Sequence, residues 1–303
     1  MAIERTYIKD VFSKKQGEKV LLKAWVHDIR DLSKVKFLVL RDISGRIQVV
    51  GAQKETNEKT FNAMTEFPRE SVVSIEGIVK DSKQAPGGKE IGIEKFELIA
   101  EAEQPLPIDV SDHSKTELPK RLDYRFLDLH RVKTQSIFKI QSTIMQAYRE
   151  FMVNEEKALE AAFPSIIGSS SEGGTELFKA KYFEKDAFLS QSCQLYKQML
   201  ACSMEKVFTI FTVWRAEKHN TVRHLNESRQ LDFEMAFADE FKIMDVLARC
   251  VKHIVKKVIE INSDDLKKLE VDLKVPEVKY ITFKEAADIM KKEKIAMPKH
   301  DLS

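Results

Sequence analysis

The sequence predicts an α+β protein in two parts, a small β-barrel followed by an antiparallel sheet flanked by helices. Short runs rich in Val, Ile and Leu, separated by turn residues, fill residues 19–100 and are typical of a closed β-structure. Farther along, residues 134–153 and 241–261 repeat apolar side chains every three or four positions, as amphipathic helices do. Between those stretches, two apolar runs flank a charged loop, which is the pattern of a strand hairpin.

The composition sets bounds on this interpretation. A chain of 303 residues is long enough for two domains, and 43% apolar residues are ample for their cores. The charged residues, 32% of the chain, nearly balance at a net charge of +2, so any surface that binds nucleic acid must be a local patch. Three cysteines without metal-ligand spacing or an even disulfide set predict a reducing, cytoplasmic location, and no stretch predicts a membrane span.

The first domain, residues 1–103, is predicted to be a five-stranded barrel. Turn residues at 42–45 and 86–88 separate its strand candidates, and a helical stretch at 57–66 follows the third strand. Five strands with a helix after the third predict an OB-fold, a barrel that binds single-stranded nucleic acid through stacking and basic side chains. The strand candidates are Lys19–Ile29, Lys36–Arg41, Arg46–Gly51, Ser71–Val79 and Gly92–Ala100.

Residues 104–130 are predicted to be a linker, because prolines at 105, 107 and 119 interrupt regular structure, and residues 131–303 are assigned to the second domain. The first helix of that domain is expected over Thr134–Val153. The next segment, Glu155–Phe163, is rich in alanine and glutamate and favours helix over strand. The apolar stripe of Phe241–Ile261 is most simply explained by core packing, and Thr282–Lys292 predicts a further short helix.

The predicted hairpin is the stretch most informative about function. Its first run, Val207–Trp214, places Arg215 at the base of a polar loop. Its second run, Leu231–Phe237, places Asp232 and Glu234 on one face of a strand. An arginine at the base of such a loop can clamp a phosphate, because its planar fork matches two phosphate oxygens at once. The residues alone leave a solvated surface loop as the alternative, and for a generic charged loop that alternative is favoured.

Three short blocks of the sequence resemble motifs of one enzyme family. FTVWRAEKHNTVRHLNE, residues 211–227, resembles motif 2 of class II aminoacyl-tRNA synthetases, in the version carried by archaeal and eukaryotic aspartyl-tRNA synthetases. SSSEGGTELF, residues 169–178, and QSCQLYKQ, residues 191–198, resemble the amino-acid-binding loop and pocket of that family. The blocks occur in the order and spacing of the family, and the resemblance spans residues 5–260. It implies an OB-fold anticodon-binding domain and an antiparallel-sheet catalytic domain, incomplete at its C-terminus.

The resemblance implies an aspartate pocket in the catalytic domain. Lys197 would contact the side-chain carboxylate of aspartate and select it over asparagine, because an uncharged amide gives up the charge-assisted bond. Asp232 would hold the ammonium group at the opposite end, under a mobile loop that carries Glu172. On the residues alone, Lys197 would be an ordinary exposed lysine, and Cys193 stands where the family usually has proline. The implied aspartate-binding residues are Glu172, Gln194, Lys197, Arg215 and Asp232.

The resemblance also implies an ATP site around the hairpin loop. Arg215 would be catalytic, since it would contact the α-phosphate and the substrate carboxylate, while the loop residues would lie along ATP or the end of the tRNA. Mg²⁺ would accompany ATP; no set of metal ligands is assigned within the chain, and Glu234 is a possible contributor that is more simply structural. The implied ATP-binding residues are Arg215, Glu217, Arg223, His224 and Leu225.

The barrel would read the anticodon of the tRNA. Phe37 would stack on a base, while Arg30 and Gln48 would hydrogen-bond to exposed base edges. On the residues alone, Phe37 would be barrel core and Arg30 a solvated charge, and that interpretation is favoured without the resemblance. His27 lies in a region that influences how strictly the family separates aspartate tRNA from asparagine tRNA.

The implied function is ATP-dependent ligation of L-aspartate to its tRNA through aspartyl-adenylate. The helix at 134–153 corresponds to motif 1, which implies a homodimer. Two alternatives remain. One is a catalytically incomplete tRNA-binding paralogue, because no GLGLER-like string of motif 3 occurs in the 303 residues. The other is an asparagine-synthetase-like enzyme that activates aspartate, which has no need of the barrel. Whether asparagine tRNA is also charged stays open.

Overall fold

A computed structural model describes residues 3–111, 115–170, 176–216, 225–293 and 295 of the chain. It divides into two compact units, Met1–Asp109 and Val110–Ser303. Both helices and strands occur, and the predicted α+β class is confirmed. The predicted domain boundaries, at 103 and 130, stay a prediction.

The first unit is a closed five-stranded barrel with the strand order β1-β2-β3-β5-β4. Each predicted strand is present, and the helix after the third strand is present too. The helix begins after Asn57, which caps its first turn by accepting a hydrogen bond from the Lys59 N–H. The elements are α1 (Ile8–Val11), β1 (Lys19–Asp31), β2 (Val35–Arg41), β3 (Arg46–Ala52), α2 (Glu58–Ala63), β4 (Val72–Asp81) and β5 (Lys89–Ala100).

The barrel core follows from alternation along its strands. On β1, Val20, Leu22, Ala24 and Val26 are buried while the residues between them are more exposed, as a strand with one face inward requires. Equivalent alternating residues of the other strands join them, and Met64 after α2 closes one side of the cluster. Apolar burial of this kind is the dominant favourable term in folding. The barrel is therefore a rigid support for whatever its outer face binds.

The second unit contains most of the helices and two small sheets among the described residues. In one sheet the order is β11-β10-β6, and in the other it is β7-β9-β8. The helices are α3 (Leu118–Asp123), α4 (Arg125–Asp128), α5 (Val132–Asn154), α6 (Gln194–Met204), α7 (Glu240–Ile261), α8 (Ser263–Lys268) and α9 (Phe283–Lys292). The strands are β6 (Leu159–Glu160), β7 (Ile166–Ile167), β8 (Lys179–Tyr182), β9 (Lys185–Leu189), β10 (Lys206–Trp214) and β11 (Glu227–Met235).

The predicted hairpin is confirmed as the β10–β11 pair. The two strands pair antiparallel from Lys206 opposite Met235 to Trp214 opposite Glu227. One face of the pair packs on α5 and α7 through Phe208 and Phe233, in a core cluster that includes Phe151. The other face is therefore left to carry the polar side chains of β11, which is the face toward α6.

The prediction of helix for Glu155–Phe163 is wrong. α5 ends at Asn154, and Leu159–Glu160 instead form β6, parallel to β10 at Val207 and Phe208. Tertiary contacts of Glu156 explain why the segment is not a helix. Glu156 is almost fully buried, and the Lys206 and Arg249 side chains donate hydrogen bonds to its carboxylate at 3.2 and 2.6 Å. These contacts outweigh the helix propensity of the segment, which is worth about 0.5 kcal/mol per residue.

Two expectations about helix faces also need correction. The expectation from the residues alone that Lys197 is an ordinary exposed lysine is wrong: it is 8% exposed, whereas Leu195 and Met199 of the same helix, α6, are 51% and 61% exposed. The reason is the electrostatic contacts of Lys197, described below, which turn the lysine inward. On α7, Val258 is buried as expected, but Leu247 is exposed, because the helix packs through Val246 and Cys250, which lie on a different face.

The remaining segments include the predicted linker. Within residues 104–130, α3 and α4 are held by the fully buried carboxylate of Asp128, which accepts hydrogen bonds from Arg121, at 2.6 Å, and Arg125. The predicted short helix near the end is confirmed as α9, which begins with a capping box between Thr282 and Glu285. All three cysteines are free thiols. Among the described ranges, no helix is long and apolar enough to cross a membrane.

Candidate active site

A cluster of three charged side chains lies where α6 faces the β11 strand. Lys197, on the second turn of α6, donates from Nζ to Asp232 Oδ1 at 2.9 Å. Its Nζ also lies 3.5 Å from Glu234 Oε2. Asp232 and Glu234 share one face of β11 because they are two residues apart on a strand. The structure therefore brings together Lys197 and Asp232, which the resemblance had assigned to the two ends of the substrate.

The cluster is partly enclosed and carries excess negative charge. The side chains of Lys197, Asp232 and Glu234 are 11%, 20% and 25% exposed. Burial works against the lysine charge, but the hydrogen bond from Lys197 to Asp232 and the charges of both carboxylates outweigh it and raise the pKa of Lys197. The lysine is thus charged at neutral pH, and one cation faces two carboxylates. Such a cluster has one negative charge available for a cationic group of a ligand.

Gln194 opens α6 and completes the polar lining on this side. Its side-chain Nε2 lies 3.5 Å from Glu234 Oε2, and its backbone N–H donates to Ser192 Oγ at 3.3 Å. Gln191 and Ser192, just before the helix, are buried, although both are polar. Polar side chains buried at the start of a helix are expected in a site that binds a polar ligand.

Arg215 lies at the base of the hairpin loop, as predicted. Its backbone N–H donates to the Asn226 carbonyl at 2.9 Å, which extends the β10–β11 ladder by one step. The half-buried side chain is thus anchored at its backbone. Leu225, across the loop base, is 60% exposed. Four other predicted site residues lie outside the described residues: Glu172, Glu217, Arg223 and His224.

Two residues in contact with Asp232 were missed by sequence reasoning. The Cys193 thiol donates to Asp232 Oδ2 at 3.4 Å, and the Tyr148 hydroxyl donates to the Asp232 backbone carbonyl at 2.7 Å. Burial, then the nearby charge of Asp232, raises the pKa of Cys193 to about 12. The available signals were small: a cysteine in place of the family's proline, and a tyrosine among the apolar buried residues at the C-terminal end of α5.

Side chains that could hold a metal ion by themselves do not form a group in the part of the chain that the structure describes. Among those residues, no group of three or more His, Cys, Asp or Glu side chains is so placed. A Mg²⁺ ion bound to ATP needs only one or two protein carboxylates, because the phosphates and water supply the other ligands. Glu234, the candidate from the sequence, lies 3.5 Å from the Lys197 ammonium. No step of the mechanism is therefore assigned to a metal held by these side chains.

The three predicted anticodon-binding residues lie on the outer face of the barrel. Arg30 on β1 and Phe37 on β2 are direct cross-strand partners, so their side chains share a face. Phe37 pairs with Val50 on β3, and Gln48, two residues before Val50, lies on that same face. Phe37 is half-buried and is not a member of the barrel core.

The contacts of these residues differ. Arg30 is largely exposed and pairs with Asp28 at 3.3 Å, and Gln48 donates from Nε2 to Glu90 Oε2 at 2.8 Å. An exposed arginine beside an aromatic ring on a barrel face has the composition of a surface that binds single-stranded nucleic acid. His27, three residues before Arg30, is half-buried.

Comparison with known proteins gives consistent matches. Residues 117–301 match the family model of class II tRNA synthetases (D, K and N), and residues 20–106 match the OB-fold nucleic acid binding domain. An aspartate–tRNA(Asp/Asn) ligase of Archaeoglobus fulgidus is 45% identical over 94% of this chain and 67% of its own length. An aspartate–tRNA(Asp) ligase of Pyrococcus horikoshii is 42% identical over 94% of this chain and 66% of its own length. The chain thus spans about two thirds of the length of these curated relatives.

The solved structures point the same way. Asparaginyl-tRNA synthetase from Pyrococcus horikoshii, complexed with asparaginyl-adenylate, aligns with a TM-score of 0.92 at 34% identity, over 99% of this chain and 70% of its own. The predicted OB-fold and class II catalytic fold are confirmed by these matches. The chain belongs to the family of class II tRNA synthetases, of the D, K and N type, with an OB-fold nucleic-acid-binding domain.

Proposed function

We propose that this chain activates L-aspartate with ATP and transfers it to tRNA. The observation that carries the proposal is the cluster of Lys197, Asp232 and Glu234, held on α6 and β11 at distances of 2.9 and 3.5 Å. Aspartate carries two carboxylates and one ammonium group, and the cluster offers a buried cation next to carboxylates. The names of the relatives, which are aspartate–tRNA ligases, support the same substrate.

Binding of aspartate would redistribute the contacts of the cluster. The side-chain carboxylate of the substrate takes a place at the Lys197 ammonium, and its own ammonium group takes a place at Asp232. Because Lys197 also lies near Glu234, it keeps a carboxylate neighbour when Asp232 turns to the substrate. Asparagine would forfeit the charge-assisted bond to Lys197, so the cluster favours aspartate. Gln194 and Glu172 are proposed to line the same pocket.

The reaction proceeds in two displacements. The α-carboxylate oxygen of aspartate attacks the α-phosphorus of ATP, forming the aspartyl-adenylate and releasing pyrophosphate. A terminal ribose hydroxyl of tRNA then attacks the activated carbonyl, loses its proton, and releases AMP. Arg215 is proposed to bind the α-phosphate and the attacking carboxylate, holding two anions together at close approach. The remaining proposed ATP contacts are Glu217, Arg223, His224 and Leu225, and Mg²⁺ would accompany the phosphates.

The barrel is proposed to bind the anticodon loop. Phe37 offers a ring for base stacking, and Arg30 and Gln48 offer hydrogen-bond donors on the same face. The relatives divide between names with aspartate tRNA and names with both aspartate and asparagine tRNA. Aspartate tRNA is therefore proposed as the partner, with asparagine tRNA as a second one to be tested.

A homodimer is proposed on the exposed apolar side of α5. Ile137 and Phe138, near the start of that helix, are 55% and 45% exposed. Exposed apolar side chains in a group are typical of an interaction surface. Light scattering of the natural gene product would give twice the mass of the single chain if the proposal holds, and the single mass if it does not.

The direct test of the proposed function is exchange of pyrophosphate into ATP. We expect the natural gene product to catalyse exchange with aspartate, and far less with asparagine or glutamate. Charging of aspartate tRNA and asparagine tRNA transcripts would then define the partner. Binding of tRNA without any amino-acid-dependent exchange would instead favour the catalytically incomplete paralogue.

A further inference from the structure

Asp232 is held by two neutral groups in addition to Lys197. The Cys193 thiol donates to Oδ2 at 3.4 Å, while the Lys197 ammonium occupies Oδ1 at 2.9 Å. The hydroxyl of Tyr148 donates to the backbone carbonyl of the same residue at 2.7 Å. Three donors from α5, the start of α6 and its second turn therefore converge on one residue of β11.

Both neutral donors are protonated across the physiological range. Cys193 is fully buried, and its pKa of about 12 means that the thiol keeps its proton and is inert as a nucleophile. Tyr148 is 2% exposed, and burial raises its pKa as well. Each group therefore acts only as a hydrogen-bond partner, and its donor faces Asp232.

A neutral donor has an advantage that a second cation would lack. A cation at Oδ2 would cancel the negative charge of Asp232, which is needed for the substrate ammonium group. A thiol fixes the direction of the carboxylate and leaves its charge in place, since an S–H group is a weak, uncharged donor. If a substrate carboxylate draws Lys197 away from Oδ1, the bond from Cys193 still holds the side chain.

We propose that Cys193 and Tyr148 are positioning residues that orient Asp232 toward the amino group of the substrate. Cys193 sets the direction of the side chain, and Tyr148 fixes the backbone of β11 at the same residue. The proposal rests on the proposed function, because it assigns the ammonium group of aspartate to Asp232. It assigns a task to Cys193, which stands where the resembled family usually has proline, and to the hydroxyl of Tyr148.

The test uses three variants of the natural gene product: Cys193→Ala, Cys193→Ser and Tyr148→Phe. We expect Cys193→Ala to raise the KM for aspartate in pyrophosphate exchange by about three- to tenfold, which corresponds to loss of one net hydrogen bond. The KM for ATP and kcat should stay within about twofold, since neither depends on the ammonium group. Tyr148→Phe, which removes only the hydroxyl, should raise the KM for aspartate by a similar factor.

Rescue and controls separate positioning from general damage. Cys193→Ser restores a donor, so its KM for aspartate should return to within about twofold of the unmodified protein. Cys202→Ala removes an exposed thiol of the same helix and should change nothing. Melting temperatures of all variants identify any rise in the KM for aspartate that merely follows a loss of stability.

The possible failures are distinct. If the unmodified protein shows no aspartate-dependent exchange, the proposed function fails and the positioning role falls with it. If exchange is present but Cys193→Ala and Tyr148→Phe leave the KM for aspartate unchanged, only the positioning role is overturned. It is also overturned if kcat and the KM for ATP change in parallel, or if serine is no better than alanine at position 193.

Discussion

Each compact unit contains an ion pair of similar length, and the two pairs differ in what surrounds them. In the barrel, Arg41 and Glu70 lie 2.7 Å apart, with side chains 4% and 3% exposed. In the second unit, Lys197 and Asp232 lie 2.9 Å apart and are 11% and 20% exposed, with Glu234 as a further carboxylate. The first pair is closed to solvent. The second is open on one side and has one carboxylate in excess.

The contrast between the two pairs shows how an ion pair can serve structure or binding. A pair that is closed to solvent cannot reach a ligand, so its effect is confined to folding. An open cluster with an extra carboxylate can exchange a partner for a substrate group of the same charge without leaving a buried charge alone. The comparison predicts that changes at Arg41 alter stability, whereas changes near Asp232 alter the use of substrate.

The largest expected effect is on stability, at the closed pair. Arg41→Met removes the guanidinium that pairs with the buried Glu70 carboxylate at 2.7 Å, which should lower the free energy of unfolding by about 3–5 kcal/mol. Trp25 lies under the Arg41 guanidinium and belongs to the same unit, and Trp214 is the other tryptophan of the chain. Urea unfolding followed by Trp25 fluorescence in a Trp214→Phe background measures the change in that unit.

The matched control is Arg30→Met, which removes an exposed arginine of the same barrel and should change the free energy of unfolding by less than about 0.5 kcal/mol. The double variant Arg41→Met, Glu70→Gln should recover part of the loss, because the buried negative charge is gone. Equal effects of Arg41→Met and Arg30→Met would contradict the claim that the buried pair of the barrel contributes more to stability than an exposed one.

The next effect concerns the phosphate contact proposed for Arg215. Arg215→Lys keeps the charge but removes the planar fork, so exchange should fall by about ten- to a hundredfold, mostly in kcat. The measurement is aspartate-dependent pyrophosphate exchange at saturating ATP. Arg229→Lys, an exposed position on β11, is the control and should leave the rate unchanged. A normal rate for Arg215→Lys would contradict the assignment of bidentate phosphate binding.

A smaller effect is expected at the outer face of the barrel. Phe37→Ala should weaken tRNA binding by about fivefold to a hundredfold, because one base–ring stack is worth about 1–3 kcal/mol. Exchange without tRNA should be unaffected, since the site of activation lies in the other unit. Filter binding of the tRNA transcript provides the measurement, and Lys95→Ala, a change on another exposed strand position, is the control. Loss of exchange in Phe37→Ala would argue against this division of labour.

The smallest effect is a difference in how the units respond to acid. In the barrel, burial and then the positive charges of Arg46 and Arg41 lower the pKa of His27 below its usual 6.5. The unfolded chain binds this proton more readily than the folded one. The contribution of His27 to stability is therefore complete above pH 6.5 and is lost as pH falls through the lower, folded pKa.

In the second unit the corresponding group is Glu156. Burial opposes its charge, but Arg249 and Lys206 outweigh burial and lower its pKa below 4.5. Its contribution is present above pH 4.5 and is lost only below that value. Between about pH 7.5 and pH 5.5, unfolding midpoints followed by Trp25 should fall while those followed by Trp214 stay constant. His27→Gln should abolish the fall, and a persisting fall in that variant would assign it to another group.

The sequence predicted the barrel and the hairpin because their signals are local. Alternation along Val20–Val26 and the turn at 42–45 depend on neighbours in the chain, and the same holds for the cap at Thr282. The fold of the second unit was harder to predict from the sequence, because some of its elements depend on contacts between distant residues. β6 forms because Glu156 is buried against Lys206 and Arg249, which are 50 and 93 positions away. No local pattern contains that information.

The resemblance named residues of the candidate site, but the contacts among them and with their neighbours were not predicted. The resemblance pointed to Lys197 and Asp232, but their contact at 2.9 Å joins residues 35 positions apart. Tyr148 and Cys193 were missed because their contacts with Asp232 span 84 and 39 positions. On α6, Leu195 outside and Lys197 inside reverse the usual order of burial, and only the carboxylates of β11 explain the reversal.

The proposed specificity depends most directly on Lys197, whose ammonium group would select aspartate by binding the side-chain carboxylate of the substrate. The decisive measurement is kcat/KM for aspartate and for asparagine in pyrophosphate exchange, in the unmodified protein and in Lys197→Met. We predict a strong preference for aspartate, and a fall of about a hundredfold or more in kcat/KM for aspartate in the variant, with a much smaller change for asparagine. An unchanged preference in Lys197→Met would contradict the account.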